Sequence, residues 1–152
     1  MRALVQRVRH ASVSINQSLH SEIGRGLLIF LGVSNSDTPA EARTLAGRCA
    51  SLRIFEDENA RMNLSLKDTA GSALVVSQFT LYADTRRGNR PSFTSAAAPE
   101  MAEKLYQEFV DSLTTELGER NVRTGVFRTM MDINLTNDGP VTIMLESKDH
   151  AS

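Results

Sequence analysis

The chain has 152 residues, 41% hydrophobic and 23% charged, with a net charge of −1, which is enough for one domain with a real core and not for two. The near-neutral charge argues against a broad electrostatic grip on nucleic acid but leaves room for a local basic patch. No apolar run reaches membrane-spanning length, "MRALVQRVRH" lacks the apolar core of a secretion signal, and the single cysteine, Cys49, excludes an internal disulfide and fits a reducing cytosol.

In chain order, "ALVQRV" and "ASVSIN" read as two short strands. Ala3, Val5 and Arg7 share a face of the first, which places an arginine in line with apolar residues. "GRGLLIFLGV" is a glycine-flanked apolar run and predicts a central strand covered on both faces. Thr38 as N-cap, Pro39 at the first helical position and Glu41 three residues after the cap predict a helix start. Ala42, Leu45, Ala46 and Cys49 then fall on one helical face.

"LRIFEDENARMNLSL" reads as a short strand breaking into an acidic loop. "SALVVSQFTLYAD" reads as a buried strand ending in Ser77, Gln78, Phe79 and Thr80, and "DTRRGNRPSF" as a polar loop. A second helix begins near Pro99 and Glu100. Ala102, Leu105, Tyr106, Phe109, Val110, Leu113 and Leu117 form its apolar stripe, and Gly118 ends it. "NVRTGVF" is strand-like. "MDINLT" and "VTIMLES" alternate apolar and polar residues on either side of Asp138-Gly139-Pro140, which predicts a closing hairpin with a tight turn. Proline cannot donate to a ladder, so its place at the first residue of a strand asks for a reason.

The order β-β-β-α-β-β-α-β-β-β predicts an α/β domain of layered sheets with two helices on one face. The opposite face then needs a second sheet or a partner subunit. No linker or repeat interrupts residues 1–152, which read as a single domain.

Chemical signatures are sparse. His10, His20 and His150 have no metal-ligand spacing with Cys49 or one another, and surface or strand-end positions account for them. Cys49 reads as a small core residue. No G-x-S-x-G elbow, P-loop or dinucleotide fingerprint is present. Three features remain. Ser77, Gln78, Phe79 and Thr80 end a buried strand, where side chains and departing N–H groups could hold a ligand or an oxyanion; a plain strand end is the alternative. Arg86, Arg87 and Arg90 share a short loop that suits phosphates, or that is merely solvated. The Gly139-Pro140 tip is a site element or a simple turn.

Together, "SQFTLYAD", "RRGNRPSF" and "NDGPVT", with "MRALVQRV", "GLLIFLGV" and "LRIFEDENARMN", resemble the D-aminoacyl-tRNA deacylases over essentially the whole chain. The resemblance implies a cytoplasmic homodimer of layered α/β fold, without metal or other cofactor, acting on aminoacyl-tRNA and not on DNA. It implies hydrolysis of the ester between a D-amino acid and tRNA, and of glycyl-tRNA mischarged on tRNA(Ala). It further implies a cis Gly139–Pro140 bond inserted into the partner's site. That motif would comprise Asn137, Gly139, Pro140 and Thr142 with Arg7 in support; Ser77, Gln78, Phe79 and Thr80 would form the receiving catalytic pocket. The tRNA contacts would come from Arg86, Arg87 and Arg90. Two rivals stand beside this reading: a related deacylase of L-aminoacyl-tRNA, in which that bond is trans and another pattern replaces SQ-x-x-T, and a non-catalytic nucleic-acid-binding module. One departure is visible: Ala60 stands where the family commonly has glycine.

Overall fold

The structure is a computed structural model that describes residues 1–148; His150 lies outside the described residues. Its elements are β1 (Arg2–Ile15), β2 (Ser18–Ile23), β3 (Gly26–Gly32), α1 (Pro39–Ser51), β4 (Phe55–Glu56), β5 (Met62–Leu64), α2 (Leu66–Thr69), β6 (Ser72–Ser77), α3 (Pro99–Leu117), β7 (Val122–Thr124) and β8 (Asp132–Glu146).

β1 is the spine. Along one edge it pairs antiparallel with β3 and then, further on, with β2; along the other it pairs with β8 over nearly its full length. β6 and β7 extend the sheet in parallel beyond β3. The segments read as two strands, "ALVQRV" and "ASVSIN", are therefore one strand. Its burial explains the split appearance. Ala3 and Val5 face one core, whereas Ala11 and Val13 face another, so the alternation changes phase between them. The change occurs at a bulge, where Val8 pairs with Asn137 and His10 with Thr136, leaving Arg9 as the extra residue.

That bulge lets β1 and β8 curl, and the curl covers the second face of the sheet. On one face, α1 and α3 pack over Leu27, Ile29 and Leu31 of β3, with Phe109 fully buried. On the other, Ala11, Val13 and Ile23 close over Leu28, Leu74 and Val76, with Ile133 and Leu135 of β8 against them. β2 reaches the far edge, where the Ser21 hydroxyl donates to the Thr124 carbonyl at 2.9 Å. The second covering layer is thus the same sheet folded over itself.

The helix signals translate directly. The Thr38 N–H donates to the Glu41 carboxylate at 2.5 Å, and Ala42, Leu45, Ala46 and Cys49 are fully buried. α3 buries Leu105, Tyr106, Phe109, Val110 and Leu113 and ends at Gly118, while Ala102 and Leu117 lie at the margin of the core. The hairpin after β1 turns through Asn16 and Gln17, both at positive φ as a two-residue turn of this hand requires. β2 and the single-turn α2 carry little apolar patterning and are not apparent in the sequence.

The closing hairpin is a correction. Residues 132–146 form one strand, and both halves pair with β1 in the same direction. Asp138–Val141 do not reverse the chain; they loop out of the ladder and let it resume.

The acidic loop holds Ala60 in a conformation that favours glycine. Between β4 and β5, Asp57 accepts N–H bonds from Asn59 and Arg61 at 2.8 and 3.1 Å, and the turn they close holds Ala60 at φ 58. A side chain there crowds the backbone, at a cost of roughly 1–2 kcal/mol. Ala60→Gly is expected to raise unfolding free energy by about 1 kcal/mol, net of glycine's greater freedom when unfolded, as read from urea denaturation at unchanged slope.

Candidate functional site

Two groups of candidate residues are assembled separately. The first is the bulge in β8. Gln6 pairs with Thr142 and Val8 with Asn137, so one residue of β1, Arg7, faces four of β8. Arg7 is 6% exposed and fills the space beneath. Its Nε donates to the Asp138 carbonyl at 3.0 Å and its Nη1 to the Ile54 carbonyl at 2.6 Å. Asn137 locks the neck: its Oδ1 accepts the Val141 N–H at 2.8 Å, while its Nδ2 donates to the Val141 carbonyl and the Thr142 hydroxyl. Gln6 also donates to that hydroxyl, at 3.1 Å.

The Gly139–Pro140 bond is cis and both residues are exposed. Gly139 has φ 142, and a Cβ there would sit 2.8 Å from the Val141 nitrogen, so only glycine fits without displacing the loop. The N-x-G-P-x-T pattern thus has a physical reading: an amide and a hydroxyl tie the neck, and the tip presents main chain.

The second group lies where β6 ends. Ser77 is the last strand residue, and Phe79–Tyr82 turn at once into a short 3₁₀ helix. Gly32 makes room for this turn: a Cβ there would stand 3.0 Å from the Leu81 Cβ and 3.1 Å from the Gln78 carbonyl. Among the described residues, the N–H groups of Phe79 and Thr80 meet no acceptor. The Gln78 side-chain amide donates to the Thr80 hydroxyl. Among the described residues, no carboxylate or imidazole hydrogen-bonds that hydroxyl.

Beside the turn runs a cleft of about 680 Å³, within the range of small-ligand sites. Ser77, Gln78 and Phe79 line it with Phe93, Phe127 and Met130. Phe79 and Phe93 meet edge to face, with centroids 5.0 Å apart, and Phe79 remains 55% exposed. An apolar, aromatic cleft with polar groups at the end of β6 and Arg128 and Thr129 on the facing wall suits a nucleoside bearing an acyl group. The far wall, residues 127–131, mixes apolar residues with Arg128 and Thr129, and no periodicity marks it as part of a site.

The arginine loop is a third location. Its base is closed by Asp84 and Ser92, which exchange main-chain hydrogen bonds at 2.8 and 2.9 Å. Arg86 turns back on the loop, with Nε and Nη2 on the Asp84 carboxylate at 2.9 and 2.8 Å. Arg87 and Arg90 are exposed, and neither makes an ion pair among the described residues. Of the other sequence candidates, His10 meets Glu22 at the surface at 3.3 Å, and Cys49 is fully buried.

Sequence reasoning overlooked Asp138. It stands inside the motif but reads as a turn former, whereas its carboxylate is approached by Arg7, Arg9 and Arg25.

Solved structures superpose on this architecture. One described as "c-Myc DNA Unwinding Element Binding Protein" aligns with a TM-score of 0.94 at 39% identity, covering 98% of this chain and 100% of that one. Another, described as a probable eukaryotic D-amino acid tRNA deacylase, aligns with a TM-score of 0.83 at 19% identity, covering 95% and 98%, and shares the fold. The fold is a mixed α/β one that both structures share.

Sequence relatives narrow the class. A D-aminoacyl-tRNA deacylase of Chlorobaculum tepidum is 55% identical over 147 residues, and one of Opitutus terrae is 53% identical over 147, each match covering 97% of both chains. The family model for D-Tyr-tRNA(Tyr) deacylase matches residues 4–146. This chain belongs to the D-Tyr-tRNA(Tyr) deacylase family, and with it to the hydrolases.

The Asp84–Arg86 contact makes a pH prediction. The Arg86 guanidinium and N–H hold the Asp84 carboxyl down at about 2, against an ordinary 3.8. A depressed carboxyl contributes order to the loop above the ordinary value and loses that contribution as pH falls through the folded one. NMR titration is expected to place the Asp84 midpoint near 2 and to raise it towards, but not fully to, the ordinary 3.8 in Arg86→Ala, which keeps the residue 86 N–H on the carboxylate; coincident midpoints would show the guanidinium contact to be absent.

Proposed function

We propose that this chain hydrolyses the ester joining a D-amino acid to the terminal ribose of tRNA, in a site completed by a second copy of itself. The observation that carries the reading is a separation. The bulge and the cleft lie on the first and fourth strands of the order β8-β1-β3-β6. They are also offset along the strands, because Arg7 pairs with Leu27 and Ser77 with Leu31. At about 4.8 Å per strand and 3.3 Å per residue, the distance is on the order of 20 Å. Neither half closes a site alone. A two-fold dimer seats each bulge on its partner's cleft and makes two equivalent sites. Phe79 and Met130, exposed beside the cleft, supply apolar surface for such a contact.

The chemistry needs no strong nucleophile, because an aminoacyl ester on a ribose is activated and carries a neighbouring hydroxyl. Water attacks the acyl carbon, and its electrons pass to the carbonyl oxygen. The N–H groups of Phe79 and Thr80 receive that oxyanion, an arrangement worth about 3–4 kcal/mol per donor removed in enzymes that use it. Collapse breaks the bond to the ribose oxygen, which takes the proton that water loses, and free amino acid and tRNA depart. Thr80, tied to Gln78, orients groups rather than attacking. Phe79 and Phe93 hold the terminal adenosine. Arg87 and Arg90 meet phosphates, and Arg86 shapes their loop.

The bulge acts as the filter. A wall of main chain reads the configuration at the substrate's Cα and leaves the side chain of the accepted enantiomer free in solvent. An L side chain points into that wall. Glycine has nothing to collide, so its ester on tRNA(Ala) passes the same test. The place of action is the cytoplasm, where charged tRNA is made.

The decisive assay follows D-tyrosyl-tRNA and L-tyrosyl-tRNA side by side with chelator present. Loss of the D-ester alone is expected, with Thr80→Ala slowed less than about tenfold, as loss of an orienting group implies. Cleavage of the L-ester would point to the related L-deacylase, and binding without cleavage to a nucleic-acid module. Complementation tests the shared site. Gly139→Leu spoils the bulge and Ala96→Trp blocks the cleft. Each variant alone is expected to be inactive, and equal mixing after dissociation to restore about a quarter of wild-type activity, because half the dimers then hold one sound site of two. No recovery in a mixture shown to exchange subunits would place the whole site within one chain.

A further inference from the structure

Beside the bulge lies a second pocket of about 700 Å³. Its walls hold Arg7, Arg9, Arg25, Glu56 and Asp138. Three guanidinium groups thus surround one largely shielded carboxylate, with Glu56 at the margin, in a chain whose net charge is −1. Arg7 is fully engaged beneath the bulge. Arg9 and Arg25 are not. Their side chains are 70% and 81% exposed, and they approach the Asp138 oxygens at 3.4 and 3.9 Å. Those distances exceed the 2.7–2.9 Å of a charge-assisted hydrogen bond, and neither side chain makes another hydrogen bond or ion pair among the described residues. Asp138 therefore holds two arginine forks in place without consuming their donors.

We infer that Arg9 and Arg25 form a phosphate site for the single-stranded 3′ end of tRNA, acting on the substrate held in the partner's cleft. The inference rests on the function proposed above. Asp138 is covalently next to Gly139, so the two arginines flank the base of the element that enters the partner. When the tip closes on the terminal aminoacyl-adenosine, the forks stand at the mouth of that cleft, where the preceding phosphodiesters run. Arginine suits the role because its planar donors grip two phosphate oxygens at once. Arg25 lies in the β2–β3 turn and Arg9 is the extra residue of the β1 bulge, so neither is required by the ladder to be arginine. One chain thereby contributes both the filter and the grip on the RNA, while its partner contributes the cleft.

The test compares wild type with Arg9→Ala/Arg25→Ala and Arg9→Lys/Arg25→Lys. Binding of uncharged tRNA is measured over a range of salt, with hydrolysis of D-tyrosyl-tRNA and of D-tyrosyl-adenosine, which has no phosphate. For the alanine pair, tRNA affinity at 0.1 M salt is expected to fall about tenfold and the log–log salt slope by about 1.4, two contacts at roughly 0.7 each. Its hydrolysis of D-tyrosyl-adenosine should remain within about twofold of wild type, and the lysine pair should keep the slope. An unchanged slope overturns the inference. So does an equal loss on both substrates, which would reduce the arginines to supports for the bulge. Displacement of tRNA by millimolar inorganic phosphate from wild type but not from the alanine pair would assign the pocket to a free anion instead. If wild type leaves D-tyrosyl-tRNA intact, the proposed function fails, and the binding curves still decide the role of the arginines.

Discussion

Between the Gln6–Thr142 and Val8–Asn137 pairs, a single residue of β1 must span four of β8, and Arg7 is long enough and rich enough in donors to do it. A smaller or apolar residue would leave the Asp138 and Ile54 carbonyls unpaired in a buried place, where each lost hydrogen bond costs about 1–3 kcal/mol. The aliphatic stem of Arg7 also continues the line of Ala3 and Val5 along the strand. Two residues later the same strand takes its own extra residue and changes face. These two irregularities, set almost opposite one another, let the ladder both expel a loop and bend over the second core.

How much of this is legible in the sequence depends on whether a signal is local. The Thr38-Pro39-Glu41 start of α1, the apolar stripe of α3 and the double burial of β3 rest on local periodicity and capping, and they agree with the structure. The bulge is different. Asp-Gly-Pro between two alternating segments carries the same local chemistry whether the chain reverses or merely loops out. What decides is that β1 is long enough to pair with both halves, and β1 itself is disguised as two strands by its phase change. The site follows the same rule. Each half can be recognised by its motif, yet their distance apart depends on strand order, which no window of sequence contains. Ala60 is the converse: a departure visible in the sequence whose meaning, a left-handed turn, appears only in the backbone.

The two halves also differ in character. The cleft is mostly aromatic and apolar, with polar groups at the end of β6 and Arg128 and Thr129 on the facing wall, whereas three arginines gather around the bulge. A substrate with a neutral nucleoside at its tip and phosphates behind it matches that division. Its reacting end meets a surface that sheds water, and its charged part meets groups that remain solvated. In such an arrangement most discrimination comes from shape at one end and most affinity from salt-sensitive contacts at the other.

Cys49 has a practical bearing on this. It lies on the inner face of α1 with no exposed surface, and burial pushes its thiol up to about 12, so at neutral pH it stays protonated and out of reach of alkylating reagents. The protein is therefore silent to thiol chemistry as it stands. A cysteine placed at exposed Asn89, in the arginine loop, would be the sole reactive one, and a dye there would report the arrival of RNA without any need to rebuild the core.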